Sequence, residues 1–339
     1  MAGNDIGIDL GSSYIRIYIS GSGIVLREAS VITVDTYTDE ITAVGQQAYE
    51  MLGKTSERFN VVYPMKGGVI SDYLLTEQMI TYFVKKVCGT MVFMPRVVVC
   101  IPGQVTEVEK RAVLDAIRAA GARKVCLIEE PVAAAIGAGV DISSPHGCMV
   151  VDIGGGTTDM AVLSLSGISI SDSLKVAGKS FDDAIVKYIR RKYSIHIGDR
   201  TAEKVKKTIG CLYPFDEPKT YRVKGRNALT GLPQWVDVSS DEMLEAMLEP
   251  AKMIVSTVQN MLEETPPELA TDVYTDGIFL TGGCAQIYGF DKLISKKTRL
   301  DVFVAENPQD CVVLGTGKAL KYIDDVTGTY GITNPLMGE

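Results

Sequence analysis

Histidine is almost absent from this chain of 339 residues, since only His146 and His196 occur. Two isolated histidines make a histidine-based catalytic triad or a histidine-rich metal site a poor expectation. Seven cysteines are present, but none has C-x-x-C spacing. An odd number of scattered cysteines in a large apolar chain indicates buried, reduced thiols, so neither a disulfide framework nor a zinc site is expected.

An excess of positive charge is also lacking. The chain has 34 Lys and Arg against 42 Asp and Glu, which gives a net charge of −8. This balance argues against a general affinity for nucleic acid, and we expect no nucleic-acid partner. Neither a run of 18 apolar residues nor a basic and then apolar start is present, so we expect no membrane-spanning helix and no signal peptide.

The remaining pattern alternates between strand-like and helix-like segments, which indicates an α/β protein long enough for two lobes. A capping box of Thr106 and Glu109 predicts a helix over 107–120, with Val108 in its apolar stripe. A second helix is predicted to follow Ser239, with a kink at Pro250. The predicted strands are Ile6–Asp9, Ile15–Ile19, Val97–Ile101, Met149–Asp152, Met160–Leu165 and Gly277–Leu280.

One segment is repeated within the chain. Ile8-Asp-Leu-Gly-Ser-Ser-Tyr is answered 143 positions later by Val151-Asp-Ile-Gly-Gly-Gly-Thr. Each copy is typical of a strand that ends in aspartate, followed by a glycine-rich turn and a returning strand. The repeat predicts two similar lobes that face each other across a cleft.

A strand, an aspartate and a glycine-rich turn suit a phosphate group. Glycine lets successive backbone N–H groups approach an anion, while the aspartate needs a cation between itself and the phosphate, for which Mg²⁺ fits. The alternative is a pair of ordinary β-hairpins. Two other phosphate motifs are not matched. Gly178-Lys-Ser resembles the end of a Walker A loop, but the loop would have to begin with glycine at position 173, which is serine. No G-x-G-x-x-G follows a strand, which excludes a Rossmann dinucleotide site.

At this point the chain resembles the superfamily of actins, DnaK-type chaperones and sugar kinases. Three further motifs occur in the order that this superfamily has: Glu129-Glu-Pro-Val-Ala-Ala-Ala, Gly277-Ile-Phe-Leu-Thr-Gly-Gly-Cys and Gly315-Thr-Gly-Lys-Ala-Leu. They resemble the first connecting helix, the adenosine motif and the second connecting helix. The resemblance implies an actin-like ATPase fold with two duplicated lobes, ribonuclease H-like sheets and four subdomains.

The resemblance also implies the domain bounds. Lobe I is expected over 1–145, with a small subdomain inserted at about 33–65. Lobe II is expected over 146–315, with an insertion at about 181–245. Residues 316–339 are expected to form a helix that returns to lobe I and a short tail.

ATP and Mg²⁺ are the cofactors that the resemblance implies, and each ligand contact can be assigned to a position. Phosphate and Mg²⁺ contacts are expected from Asp9, Gly11, Ser12, Ser13, Asp152, Gly154, Gly155, Gly156 and Thr157, with Asp9 and Asp152 holding the metal through water. Glu130 and Thr157 are the expected catalytic residues, since they match the positions that orient the attacking water. Glu129 is the alternative carboxylate.

The nucleoside end is assigned in the same way. Glu203 and Lys206 resemble the superfamily's ribose and adenine contacts, although an ordinary ion pair between residues three apart on a helix explains the spacing equally well. Gly282, Gly283 and Cys284 are the expected adenine-binding turn. Cys284 stands where the family usually has a third glycine, so it either crowds the adenine pocket or packs beneath it.

Within the superfamily, four segments are similar to MreB-type bacterial actins: those that start at Leu127, Gly198, Val223 and Thr265. This resemblance implies a slow ATPase that forms filaments, in antiparallel pairs, at the cytoplasmic face of the membrane. Its expected partners are further copies of itself, the membrane surface and the cell-wall elongation proteins RodZ, MreC and MreD. The expected role is to organise lateral cell-wall synthesis and rod shape; a non-polymerising ATPase, a chaperone or a sugar kinase of the same superfamily is the alternative.

A short apolar segment is the predicted membrane anchor. Met91, Val92, Phe93 and Met94 lie between a glycine and a proline, so we expect them at a loop tip. Exposed apolar side chains there would insert into the lipid interface, and Lys85, Lys86 and Arg96 would attract anionic headgroups. The alternative is that the loop packs onto its own lobe.

Overall fold

The computed structural model describes residues 5–89 and 94–324. Its strands, numbered along the chain, are β1 (Ile6–Leu10), β2 (Tyr14–Ile19), β3 (Gly23–Ala29), β4 (Ile32–Asp35), β5 (Ile41–Val44), β6 (Phe59–Val62), β7 (Met65–Lys66), β8 (Val69–Ile70), β9 (Arg96–Ile101), β10 (Lys124–Glu129), β11 (Cys148–Ile153), β12 (Thr158–Ser164), β13 (Gly167–Leu174), β14 (Ile195–His196), β15 (Thr220–Asn227), β16 (Pro233–Ser239), β17 (Ile278–Thr281) and β18 (Val302–Val304).

The helices alternate with these strands, as the sequence predicts for an α/β protein. They are α1 (Gln46–Met51), α2 (Tyr73–Cys88), α3 (Glu107–Ala119), α4 (Glu130–Ala138), α5 (Gly178–Tyr193), α6 (Asp199–Ile209), α7 (Ser240–Glu264), α8 (Pro267–Asp276), α9 (Phe290–Thr298) and α10 (Cys311–Ala319). None of the helices in the described part of the chain is both long enough and apolar enough to span a bilayer.

Two five-stranded sheets have the same topology, which confirms the predicted duplicated fold. The first has the order β10-β9-β1-β2-β3 and the second the order β13-β12-β11-β17-β18. In each, the strand that carries the aspartate motif pairs antiparallel with the next strand and parallel with a later one: β1 with β2 and β9, and β11 with β12 and β17. The repeated sequence therefore occupies the same central place in both sheets.

Two three-stranded sheets stand apart from these large sheets. One has the order β5-β4-β6 and the other the order β14-β15-β16. They fall in the segments where the sequence predicts the two small inserted subdomains. The exact domain bounds stay a prediction.

Local sequence signals predicted the starts of α3 and α7 correctly, and two other local predictions are wrong. Thr106 and Glu109 form the predicted capping box at the start of α3. Val108 was predicted to be in the buried stripe, but it is 79% exposed, because the first turn of α3 faces solvent and burial begins at Val113. The prediction of a strand through Leu165 is also wrong, since that residue has a φ of 51° in the turn after β12.

Helices α4 and α10 cross between the lobes at backbone distance. A Cβ at Gly137 would overlap the carbonyl of Cys311, and a Cβ at Gly315 would overlap the carbonyl of Ala133. Around this crossing, a hydrophobic cluster joins the inner faces of both large sheets, for example Val98 of the first. The crossing therefore fixes how the two lobes meet.

Candidate functional site

A cavity of about 1090 Å³ opens between the lobes. All the residues that the sequence predicts for phosphate, metal, catalysis and base contacts line it. They are Asp9, Gly11, Ser12, Ser13, Glu130, Asp152, Gly154, Gly155, Gly156, Thr157, Glu203, Lys206, Gly282, Gly283 and Cys284. Their convergence from five separate chain segments makes this cavity the candidate site, while the role of each residue stays a prediction.

The two glycine-rich turns face each other at the floor of the cavity. A Cβ at Gly155 would overlap the hydroxyl of Ser13, and a Cβ at Gly156 would overlap the hydroxyl of Ser12. The Ser12 hydroxyl also accepts a hydrogen bond from the Gly68 N–H at 2.8 Å. Only glycine permits this approach, so the turns form a narrow cradle lined by backbone.

Two buried aspartates end the strands that lead into these turns. Asp9 accepts a hydrogen bond from Arg16 Nη1 at 2.9 Å, and Asp152 accepts one from Thr281 Oγ1 at 2.6 Å. Burial raises the pKa of Asp9, although Arg16 partly offsets it. Burial raises the pKa of Asp152 to about 7, with Asp159 and Asp9 adding to the effect. Both carboxyls thus lie where negative charge is poorly compensated.

Glu130 is the first residue of α4 and points into the same region. It is buried, and burial together with Asp159, Asp152 and Asp9 raises its pKa well above the usual value. Glu129 precedes it at the N-cap, is less buried and lies outside the cavity lining. The geometry therefore favours Glu130 as the carboxylate that faces a bound ligand.

The sequence prediction missed Asp159, a fully buried carboxyl behind the site. Asp159 lies directly opposite Asp152 in the β11–β12 pairing, as Arg16 lies opposite Asp9 in the β1–β2 pairing. Its Oδ1 accepts a hydrogen bond from the Gly103 N–H at 3.0 Å. Asp159 follows Asp152 at the same spacing at which Arg16 follows Asp9, and this shared spacing could have indicated Asp159 from the sequence.

Glu203 contacts the opposite lobe across the mouth of the cavity. Its carboxylate accepts hydrogen bonds from the hydroxyl of Tyr49 on α1 and, at 2.6 Å, from Lys207 Nζ. Arg200 adds a second link, because Nη1 donates to the Glu50 carbonyl at 3.0 Å. The small subdomains of the two lobes therefore meet at Glu203.

Lys206 does not pair with Glu203, so the interpretation as an i,i+3 ion pair is wrong. Its Nζ donates to the Gly178 carbonyl at 2.8 Å and to Asp182 Oδ2 at 2.9 Å. Both side chains of this pair are about nine-tenths buried. Burial still raises the pKa of Asp182 to about 6 despite Lys206.

Cys284 packs against the backbone of the second phosphate turn and also lines the cavity. Its side chain is buried, and Sγ donates to the Gly154 carbonyl at 3.2 Å. The turn itself needs glycine at Gly282, where φ is 85° and a Cβ would overlap the backbone of Ile153. This turn thereby joins the adenosine motif to the second phosphate motif.

The residues present fit a nucleotide that carries a divalent cation. Buried carboxylates with raised pKa values indicate negative charge that a hard cation would neutralise, and the glycine cradle leaves room for backbone N–H groups to approach phosphate oxygens. In the described ranges, no group of three or more His, Cys, Asp or Glu side chains could hold a metal ion.

The predicted membrane loop lies mostly outside the described residues. Met91, Val92 and Phe93 fall in the gap at 90–93, and Met94 at its edge is 59% exposed. Of the nearby cations, Lys86 pairs with a carboxylate of Glu28, and Arg96 with carboxylates of Asp5 and Asp324. These pairs reduce the free positive charge beside the loop.

Comparison with known proteins gives a consistent result. A family model described as "MreB/Mbl protein" matches residues 3–328. The cell shape-determining protein MreB of Escherichia coli (strain K12) is 47% identical over 331 residues, which cover 96% of this chain and 95% of that protein. The cell shape-determining protein Mbl of Bacillus subtilis (strain 168) is 43% identical over 325 residues, which cover 96% and 98%.

Two solved structures share the fold. A crystal structure of MreB 5 of Spiroplasma citri bound to AMPPNP has a TM-score of 0.91 at 37% identity, with 96% of this chain and 98% of that chain covered. A MamK double helical filament has a TM-score of 0.81 at 21% identity, with 94% and 99% covered, and supports the fold alone. Both comparisons confirm an actin-like architecture.

Proposed function

The chain belongs to the MreB/Mbl family, and from that premise we propose that it is an ATP-dependent, filament-forming bacterial actin that acts in cell-shape determination. The observation that carries this proposal is the pair of facing glycine turns, each following a buried aspartate, in one cavity with the predicted nucleoside contacts. The relative with 37% identity was solved with AMPPNP, which supports a nucleoside triphosphate as the ligand.

Asp9 and Asp152 are the residues that would hold Mg²⁺, and the two turns would bind the phosphates. Mg²⁺, when bound, would neutralise phosphate charge and polarise the γ-phosphoryl group. Arg16 keeps Asp9 oriented through its 2.9 Å hydrogen bond, and Thr281 does the same for Asp152. Both carboxylates are therefore preorganised by neighbouring strands of their own lobes.

Glu130 would act as general base, with Thr157 beside it positioning the attacking water. The water oxygen bonds to the γ-phosphorus, the bond from that phosphorus to the bridging oxygen of the departing ADP breaks, and the water proton passes to the Glu130 carboxylate. Burial and the neighbouring carboxyls of Asp159, Asp152 and Asp9 raise the pKa of Glu130 well above its usual value. We expect slow hydrolysis that times filament turnover.

We further propose that the filament lies at the cytoplasmic face of the membrane and guides cell-wall synthesis with RodZ, MreC and MreD. The relatives of Escherichia coli and Bacillus subtilis are named cell shape-determining proteins, which supports this proposal. The exposure of Met94 at the edge of the apolar segment supports contact of that loop with lipid.

Sedimentation and electron microscopy test the filament. With Mg²⁺–ATP, tens of micromolar protein should give a pelletable fraction and visible filaments, in antiparallel pairs, and chelation of Mg²⁺ should abolish both. A protein that remains monomeric with nucleotide and lipid present would instead favour a non-polymerising member of the superfamily.

Liposome co-sedimentation tests the membrane anchor. Replacing Val92 and Phe93 with serine should abolish binding to anionic vesicles and leave ATP binding unchanged, because the apolar loop side chains would no longer enter the interface. The matched control replaces two other exposed apolar residues, Val108 and Met253, with serine. Equal lipid binding by the loop variant and the control would remove the loop as the anchor.

A further inference from the structure

The two aspartate motifs differ in the charge that lies opposite the aspartate. In the β1–β2 pairing Asp9 lies opposite Arg16, whereas in the β11–β12 pairing Asp152 lies opposite Asp159. Arg16 Nη1 donates to Asp9 Oδ2 at 2.9 Å, while the hydrogen bond to Asp152 comes from the neutral hydroxyl of Thr281. The first carboxylate of the predicted metal site therefore has its own counter-cation, and the donor to the second carries no charge.

The ion pair of Asp9 and Arg16 is largely withdrawn from water. The two side chains are 9% and 15% exposed, and both residues line the cavity. In this place the guanidinium offsets part of the carboxylate charge and occupies one of its two oxygens. A metal ion that approaches Asp9 therefore meets both an occupied oxygen and a like charge.

A second carboxylate is within reach of the same guanidinium. Asp310 Oδ1 lies 3.7 Å from Arg16 Nε. Asp310 immediately precedes α10, where an aspartate usually accepts a hydrogen bond from the first turn of the helix, but its side chain makes no such bond. Its carboxylate is turned toward the first large sheet instead, so Arg16 has an acceptor to move toward when it leaves Asp9.

Arg27 holds Asp310 in this position. On the neighbouring strand β3, Arg27 lies directly opposite Arg16, and its Nε and Nη2 donate to the two Asp310 oxygens at 3.2 and 2.9 Å. Like charges opposite each other in adjacent strands destabilise a sheet, so the carboxylate of Asp310 stabilises the two arginines where they lie. The second acceptor for Arg16 is thus fixed by contacts outside the metal site.

We propose that Arg16 is a built-in competitor of the metal ion, which keeps free Mg²⁺ off Asp9 until a nucleotide brings the metal with it. This inference rests on the proposed binding of Mg²⁺–ATP in the same cavity. The phosphates supply the negative charge that makes the exchange favourable, and Arg16 then shifts its hydrogen bond from Asp9 to Asp310. Metal and nucleotide therefore bind together, and Asp9 is not a metal site by itself.

Titration with Mn²⁺ alone, followed by electron paramagnetic resonance, tests the competition. Without nucleotide, Arg16→Leu should bind Mn²⁺ about 10- to 100-fold more tightly than the wild-type protein, the scale expected when one unit charge is removed from beside a partly buried site. Arg16→Lys keeps the charge and should remain close to the wild type. The matched control is Arg222→Leu, which removes the same charge from an exposed strand position that does not line the cavity, and it should change nothing.

Asp310→Asn tests the second half of the exchange and does not depend on whether Arg16→Leu folds. Asparagine has nearly the same shape but offers the guanidinium no charge, so Arg16 should stay on Asp9. In the presence of ADP, this variant should bind Mn²⁺ about tenfold more weakly than the wild-type protein does. That loss should vanish when Arg16 is replaced with leucine in the same chain.

The outcomes separate this inference from the proposed function. If the wild-type protein binds Mg²⁺–ATP but Arg16→Leu binds Mn²⁺ no more tightly than the wild type, the competition is refuted and the proposed function stands. An unchanged Mn²⁺ affinity of Asp310→Asn, or equally tight binding of Mn²⁺ by the wild-type protein with and without ADP, would refute it as well. Failure of the wild-type protein to bind Mg²⁺–ATP would overturn the proposed function itself, and the competition with it.

Discussion

Replacing Asp152 with asparagine should make the metal-free protein more stable at pH 8. The carboxyl is buried at the end of β11, and burial raises its pKa from the ordinary 3.8 to about 7. A raised pKa means that the folded state holds the proton more tightly than the unfolded state does. The stabilisation is therefore complete below about pH 3.8 and is lost as the pH rises through 7.

The size of the effect follows from the difference between the two pKa values. Each pKa unit corresponds to about 1.4 kcal/mol, so ionised Asp152 costs about 4 kcal/mol of folding free energy at pH 8. Asparagine keeps an oxygen that accepts the 2.6 Å hydrogen bond from Thr281 Oγ1 but carries no charge. The gain in stability should be largest at pH 8, smaller at pH 6 and near zero at pH 4.

Urea unfolding followed by circular dichroism, in EDTA at these three pH values, measures the difference directly. Asp216→Asn, at an exposed position, is the control and should shift nothing. Addition of Mg²⁺–ATP should then stabilise the wild-type protein but not Asp152→Asn, because the variant lacks a carboxylate for the metal. Parallel curves of stability against pH for the variant and the wild type would refute the argument that a buried charge at this position is costly.

Three further predictions follow from the same cavity and the helix crossing. Glu130→Gln should cut phosphate release at least tenfold in a single-turnover assay with ATP affinity nearly unchanged, and a larger loss from Glu129→Gln would show that the wrong carboxylate was chosen. Lys206→Met should lower the free energy of unfolding, measured in urea at pH 7, by about 3–5 kcal/mol, because Asp182 is then buried without its partner. Adding Asp182→Leu should restore most of that stability. A double variant that is no more stable than Lys206→Met would contradict the explanation by a buried charge pair. Gly315→Ala should cost about 1–3 kcal/mol or more by forcing α4 and α10 apart, and an unchanged melting temperature would refute the backbone contact.

Local signals in the sequence predicted the parts of the site that the chain builds from neighbouring residues. The two aspartate–glycine turns and the capping box at Thr106 are examples, since every group involved lies within a few positions. The repeat predicted the two sheets because a duplicated strand order needs only a duplicated pattern. The fold could be predicted from the sequence for the same reason.

Contacts between distant segments could not be predicted from local sequence patterns. The spacing along α6 suggested that Lys206 and Glu203 pair with each other. In the structure Lys206 pairs with Asp182, 24 positions away, and Glu203 accepts a hydrogen bond from Tyr49, 154 positions away. The contact of Arg27 with Asp310 likewise depends on how distant segments meet. Burial of carboxyls such as Asp159 comes from packing on all sides, which a linear pattern does not encode.

The crossing of α4 and α10 also determines how the lobes can move. With no side chain at Gly137 or Gly315, backbone rests on backbone, and there is no compressible layer along which the helices could slide. The crossing is therefore a pivot, and we expect motion between the lobes to be rotation about it. A given rotation moves atoms further when they lie further from the pivot. Tyr49 and Glu203 belong to the small subdomains of the two lobes and meet at the mouth of the cavity. Their contact should be the first to break when the cleft opens, long before either sheet is disturbed.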